Sequence, residues 1–234
     1  MSNNEGLFSK MNAVIYYSNT GQSFSIAKHL SDRTCFKLVN LNAINDELFN
    51  NIFLVFPVHY QSIPKEIRQL FKNIKAHKAV VVATYGKMGF GDVLNDVKKL
   101  LPVKVVGGAY VPTKHTYIEN DESFAEFERL NPLIEMFDRK QEVRFPTGKK
   151  NLFASFMPIK RHQISVKITR NDRCTKCGEC NKICEHIKYG IPNKKCNRCL
   201  KCVKMCPQKA LEYKLSATMV KYLSKPKIDS LFIY

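Results

Sequence analysis

The sequence predicts an α/β chain in two parts: a doubly wound, five-stranded parallel sheet of order 2-1-3-4-5, then a smaller α+β module built on a cysteine repeat. Three observations lead there. Over residues 1–143, short β-branched apolar runs alternate with amphipathic stretches, the pattern of parallel strands buried on both faces. Eight of the nine cysteines follow residue 164, in two copies of one spacing. Charge divides along the same line, with 17 Lys and Arg against 15 Asp and Glu in residues 1–143 but 21 against 5 in residues 144–234.

Strands are expected over residues 13–17, 35–41, 52–56, 79–83 and 103–106. Cys35 reads as a packed strand residue. Helices are expected over 24–30, 64–74, 90–101 and 123–139, with Pro64 in a first turn and Pro102 ending the third. Strands with interleaved helices give an open sheet with helices on both faces. Residues 144–163 hold Pro146, Gly148 and Pro158 among basic and aromatic side chains, and read as a basic linker that packs in part. The small module is expected over 164–214, where alternation in 164–168 and the run 210–214 suit a closing antiparallel ribbon. Residues 215–234 form a C-terminal extension, read as a helix plus a strand docking back, because Pro226 interrupts a continuous helix.

In such a sheet a site belongs at the carboxyl ends of the strands. After the first strand come Ser18, Asn19, Thr20, Gly21, Gln22 and Ser23, leading into a helix. Hydroxyls, a glycine and helix N–H groups suit a phosphate, although the same residues also suit a plain turn with a helix cap. There is no Walker lysine. The third strand leads to Pro57, Val58, His59 and Tyr60, and the fourth to Thr84, Tyr85, Gly86 and, further on, Gly91. A ring in either loop can stack on a planar cofactor while nearby backbone bonds its polar edge. The alternative for Tyr60 and Tyr85 is packing against the sheet edge; His59 reads equally as a solvent-facing residue. Gly86, Gly89 and Gly91 lack dinucleotide-fingerprint spacing. His29, His77, His115, His162 and His186 are scattered, and no catalytic acid, base or nucleophile is assigned.

The cysteines read C-x2-C-x2-C-x3-C twice: Cys174, Cys177, Cys180, Cys184, then Cys196, Cys199, Cys202, Cys206, each offset by 22 residues. In runs of this kind the first three thiolates share one iron-sulfur cube and the fourth serves the other. On that rule one 4Fe-4S cluster takes Cys174, Cys177, Cys180 and Cys206, and the second takes Cys196, Cys199, Cys202 and Cys184. Zinc and disulfides are competing readings. Zinc sites usually pair two C-x2-C units across a longer gap, and disulfide scaffolds usually follow a signal peptide, which residues 1–20 do not resemble.

The cysteine repeat resembles the bacterial-type two-cluster ferredoxins over residues 164–214. Glu185 and His186 follow Cys184 where that family places proline, whereas Pro207 keeps the pattern after Cys206. The three loops of the first part resemble those of the flavodoxins over residues 11–143, with residues 18–23 matching the phosphate loop and the Tyr60 and Tyr85 segments the isoalloxazine loops. FMN is the cofactor this resemblance implies. Together the halves resemble the flavodoxin-ferredoxin fusion proteins of anaerobic bacteria and archaea. The implied fold is a flavodoxin-like sheet followed by a two-cluster ferredoxin-like domain.

The function expected is electron transfer between FMN, two 4Fe-4S clusters and protein redox partners in an anaerobic cytoplasm. Two other classes compete. One is an FMN-dependent reductase of a quinone, nitro compound or metal complex, fed through the clusters. The other is an iron-sulfur nucleic-acid-binding protein, supported by charge alone. The basic second half favours acidic redox partners, a ferredoxin, flavodoxin or oxidoreductase surface, over nucleic acid. No apolar run approaches the roughly eighteen residues needed to span a bilayer.

Overall fold

A computed structural model of the chain describes residues 11–148 and 158–234. It divides into two compact units: Met1–His115, Asp121–Asn151 and Ile228–Tyr234 form the first, and Thr116–Asn120 with Leu152–Lys227 form the second.

The first unit is built on a six-stranded sheet. Strands β1 (Ala13–Tyr16), β2 (Lys37–Asn40), β3 (Leu48–Pro57), β4 (Lys75–Tyr85) and β5 (Lys104–Pro112) run parallel in the order 2-1-3-4-5. This is the flavodoxin-like arrangement. The sixth strand, Phe232–Ile233, pairs antiparallel with β5 through Tyr110 and Ala109, so the tail caps one edge of the five-stranded sheet expected from the sequence.

Alternate strand residues enter two cores, as the pleat requires. Ile15, Leu54, Phe56, Val81 and Ala83 pack against Ile67 and Phe71, and against Leu94 and Val97 of the helix Val93–Leu100. Val14, Phe53, Val55, Val80 and Val82 face the other way, toward Ile26 and Leu30 of helix α1 (Gln22–Thr34) and toward Leu130, Leu133 and Phe137. With both faces covered, the strands read as continuous apolar runs.

Several elements differ from expectation for local reasons. The expected helix over 123–139 is a broken run: 3-10 turns at Phe127–Leu130 and Met136–Asp138 flank a single α turn, Pro132–Glu135. Pro132 offers no N–H to continue a preceding helix, yet the run still buries its apolar side chains. Residues 64–74 likewise give one α turn, Lys65–Arg68, and a 3-10 turn. Cys35 is not a strand residue. It ends α1 in the left-handed region at φ 57° and is exposed. β5 runs through Gly107, where a Cβ would collide with Met136, and Gly108, where it would crowd Phe145 and the Val81 carbonyl.

Of the expected linker, Phe145 is buried in the first unit and Gly148 N–H donates to Asp92, so this part is packed. Residues 149–157 lie outside the described residues, and Pro158–Ser165 is helical. The second unit contains an antiparallel ribbon, Val166–Arg170 with Leu211–Leu215, and a hairpin, Ile187–Lys188 with Ile191–Pro192. Tyr189 and Gly190 both have positive φ, as the tight hairpin turn requires. Two short helices, Glu179–Ile183 and Lys201–Met205, repeat the 22-residue offset. The helix Ala217–Leu223 seats Met219 in this unit's core, and the chain then returns to the first unit at Ile228.

Phe53 is fully buried between the rings of Phe36 and Phe137. Phe53→Ala should cost about 3–5 kcal/mol by urea denaturation. A cost below about 1 kcal/mol would mean that this face of the sheet is not packed as described.

Candidate functional site

In the second unit the cysteines fall into two groups, and nearness in sequence does not decide the grouping. Cys174, Cys177, Cys180 and Cys206 line one cavity of about 340 Å³, counted out to its open mouth, with Tyr189, Pro207 and Leu211. The other four thiols sense one another electrostatically: Cys184 feels Cys196, while Cys199 and Cys202 each feel Cys184 and Cys196. Burial pushes Cys202 up to about 12, reinforced by Cys199, Cys196 and Cys184. Burial raises Cys199 and Cys184 as well. Buried thiols are poor thiolates alone, whereas a bound cation deprotonates them outright, so this donor set fits a metal centre. Among the described residues, no group of three or more His, Cys, Asp or Glu closes around a single ion position. A cube offers each thiolate its own iron, so its ligands need not close on one point.

Both groups rest on a repeated backbone. Asn171 and Asn193 each accept from the N–H two residues on with the side chain, and their carbonyls accept from Cys174 N and Cys196 N, both at 3.2 Å. Lys176 and Arg198 take φ values of 56° and 60°, and Gly178 and Leu200 enter the two short helices in the left-handed region. Each exchanged cysteine also receives a backbone donor: His186 N–H on Cys184 Sγ at 3.4 Å and Ala210 N–H on Cys206 Sγ at 3.3 Å.

In the first unit, the loops after β1, β3, β4 and β5 leave the same edge of the sheet, because Tyr16 is level with Val55, Pro57 with Thr84 and Tyr85 with Pro112. Gly21 stands at the N-terminus of α1 with φ 91°, and a Cβ there would meet nothing within 4 Å. Its N–H donates to Ser18 Oγ at 3.1 Å, and no side chain caps the helix. Asn19 Nδ2 is buried without a hydrogen-bond partner in the protein. An uncapped 13-residue helix, an orphaned amide donor and open space at Gly21 fit an anionic group. Ser23 and Thr84, both buried, hydrogen-bond each other at 2.8 Å and so tie the first loop to the end of β4. Thr20 and Gln22 lie in the same loop and helix start.

The two aromatic loops behave differently. His59 and Ser62 exchange backbone hydrogen bonds around Tyr60 and Gln61, both at positive φ, which leaves Tyr60 half-buried beside the His59 ring. Burial lowers the His59 pKa against the opposing pull of Glu66, keeping the ring neutral. Pro57 and Val58 are also half-buried, with Val58 N–H on Thr84 O. Tyr85, by contrast, is a core residue. Its ring lies 1 % exposed against Phe90 and Tyr110, and its hydroxyl donates to Ser230 O at 2.6 Å. It therefore takes the packing alternative and is not available for stacking. Gly86 abuts His115, and Gly91, at φ 64°, lies against the Gln61 backbone, so the two loops are in contact.

Sequence reading missed an ion cluster beside these loops, buried at Lys87 and Asp121 and open to solvent at Asp229. Lys87 Nζ pairs with Asp121 at 3.3 Å and Asp229 at 3.2 Å. Its partners lie 34 and 142 residues away along the chain, and no local pattern links them. Asp121 also receives His115 N–H, which fixes the loop after β5.

No protein-family model matches the chain, and no curated protein sequence matches it. Among solved structures, it is similar to a short-chain flavodoxin associated with a bacterial microcompartment, at 15 % identity and TM-score 0.40, covering 55 % of this chain and 95 % of that one. It is also similar to a flavodoxin from the domain Archaea, at 13 % identity and TM-score 0.38, covering 55 % and 96 %. The fold is read from the strand order, not from these neighbours.

The side chains of Lys87 and Asp121 are 8 % and 3 % exposed, so removing the cation strands a buried carboxylate. Lys87→Met should destabilise the first unit by about 3–5 kcal/mol at neutral pH. Burial lowers the Lys87 pKa, but Asp229 and Asp121 more than reverse this and hold it above 10.5. The stabilisation is thus complete below 10.5 and fades as pH climbs through the raised folded value. Urea melts of both proteins should show their difference shrinking in that alkaline window; a constant difference would assign the effect to packing.

Proposed function

We propose that the protein is an electron carrier that holds FMN at the strand ends of the first unit and two 4Fe-4S clusters in the second. The observation that carries this reading is the company of Cys206: it lines a cavity with Cys174, Cys177 and Cys180, whereas Cys184 keeps company with Cys196, Cys199 and Cys202. That exchange is what two cubes require of this spacing.

Bound FMN supplies two-electron capacity with single-electron release, and each cluster supplies single-electron steps. The protein's part is to bind and tune. Gly21, the first-turn amides of α1 and Asn19 Nδ2 would hold the phosphate. The Ser23–Thr84 hydrogen bond sets the distance between that loop and β4. Tyr60, Pro57, Val58 and His59, with Gly86 and Gly91, would flank the ring system. The N–H groups of His186 and Ala210 stabilise negative charge on Cys184 and Cys206, a lever on cluster potential.

Anaerobic purification should yield about one FMN, about eight irons and about eight sulfides per chain. In Gly21→Glu the added charge meets an anion site, so flavin should be lost with iron unchanged. A colourless zinc protein overturns the cluster assignment, while full flavin occupancy in Gly21→Glu overturns the phosphate loop.

Crossed ligation makes a separate demand. Cys206→Ser should damage the cluster of Cys174, Cys177 and Cys180 and spare the one nearest in sequence, as read by electron paramagnetic resonance against Cys174→Ser and Cys196→Ser. Loss of the signal that Cys196→Ser removes, with the other intact, would show that the ligands are not exchanged.

A further inference from the structure

The two cysteine groups are not equally accessible. Cys177 is exposed at the mouth of the first cavity, whereas Cys196 and Cys202 of the other group are 7 % and 6 % exposed. One large apolar side chain open to solvent, Tyr189 at 40 % exposure, lines that mouth, and Ile191 and Met205, at 61 % and 59 %, follow and precede the lining residues Gly190 and Cys206 in sequence. Each cation nearby is exposed as well. Lys176 lines the cavity, and Lys188 and Lys209 are direct neighbours of the lining residues Tyr189 and Gln208. The acid among the lining residues, Glu179, is neutralised by Lys182 at 2.6 Å. An apolar centre within a charged rim is the anatomy of a protein-binding patch.

We propose that this mouth is the docking port for an acidic one-electron carrier protein, a reading that rests on the assignment of Cys174, Cys177, Cys180 and Cys206 to a cluster. The port exchanges one electron per encounter. A cluster held by Cys174, Cys177, Cys180 and Cys206 would take up the single electron that the reduced carrier gives up, with no bond made or broken. In the other group Cys196 and Cys202 are buried and Cys184 and Cys199 half-buried, so the port is assigned to the group that holds the exposed Cys177. Charge selects the partner's sign and speeds encounter, and the apolar patch makes the short-lived contact.

The test uses the full-length protein with its cofactors, prepared anaerobically, and a reduced acidic two-iron ferredoxin as probe. Lys176→Glu with Lys209→Glu is compared with Lys194→Glu with Lys195→Glu, an equal charge change beside the other group. At about 0.02 M salt the first pair should slow stopped-flow exchange about tenfold or more, within the range that surface fields lend to encounter rates, and the loss should vanish near about 0.5 M. The second pair should change the rate less than about twofold, because its lysines lie outside the port. Carbodiimide cross-linking, mapped by mass spectrometry, should join the probe to Lys176, Lys188 or Lys209. Equal slowing by both pairs, or cross-links at Lys194 and Lys195, would overturn the port. Unchanged exchange together with lost binding to duplex DNA in the first pair would give the face to nucleic acid. Iron and sulfide content separates the failures: a wild-type protein without iron sinks the cluster reading, whereas full iron with insensitive exchange sinks the port alone.

Discussion

A parallel sheet covered on both faces leaves polar chemistry almost nowhere to go. Residues 13–15 of β1, 52–56 of β3 and 79–83 of β4 are buried against either α1 and the 127–138 run or the helices on the opposite face, while Asn50 and His77 near the strand starts stay exposed. Backbone groups are consumed by neighbouring strands, so unpaired donors and hydroxyls collect where the strands stop. This constraint puts Ser18, Asn19 and Gly21, the His59–Ser62 turn and the Gly86–Gly91 loop on one edge. The Ser23–Thr84 bond and the Gly91–Gln61 contact then hold the loops to one another. An anion site built from backbone and an orphaned amide, without a lysine, depends on that rigidity, because its donors gain strength only if they are already aimed.

The second unit solves a different problem with repetition. It has little apolar material, and Cys196 and Cys202 themselves sit in its core beside Leu200, Val166 and Ile187. So small an apolar core stabilises little by packing alone, whereas metal binding, where it occurs, contributes folding free energy directly. The Asn turns and the left-handed residues Lys176 and Arg198 repeat the same backbone course around both runs of cysteines. Under the proposed cluster binding, such turns would preset the ligands, and ligation would offset the cost of positive φ at two residues that have a Cβ.

Much of this was legible beforehand because it depends on local pattern. The buried strands and the ribbon around the cysteines follow from periodicity, and the strand order from the doubly wound class that alternating strands and helices imply. Part of what escaped depends on distance along the chain, and part on local chain breaks. Tyr85 looked like a ring offered to a ligand, but Ser230, Phe90 and Tyr110 enclose it, and Ser230 lies in a tail with no strong pattern of its own. Lys87 follows Gly86 in the loop after β4, and its partners Asp121 and Asp229 lie far along the chain. Cys35 looked like strand because its neighbours are apolar, yet α1 runs on to Thr34 and needs a left-handed residue to stop. The helix over 123–139 carried the right apolar spacing for one face, and Pro132 broke the hydrogen bonding without disturbing which side chains are buried.

The interleaving of the two units in sequence has a physical consequence of its own. A boundary at residue 143 looks natural from composition, but each unit takes a short piece from the far side of it. Tyr117 is 8 % exposed in the second unit, where its hydroxyl donates to Arg198 O at 2.7 Å, between Cys196 and Cys199 in sequence. The closing residues Ile228–Tyr234 belong to the first unit, where they pair with β5, bond the Tyr85 hydroxyl and supply Asp229 to Lys87. Cutting the chain at residue 143 would open the hydrogen bond that steadies the second cysteine group. It would also strip the edge strand and one carboxylate from the loops around the candidate anion site. The short exchanged pieces therefore make the integrity of each unit depend on the continuity of the whole chain.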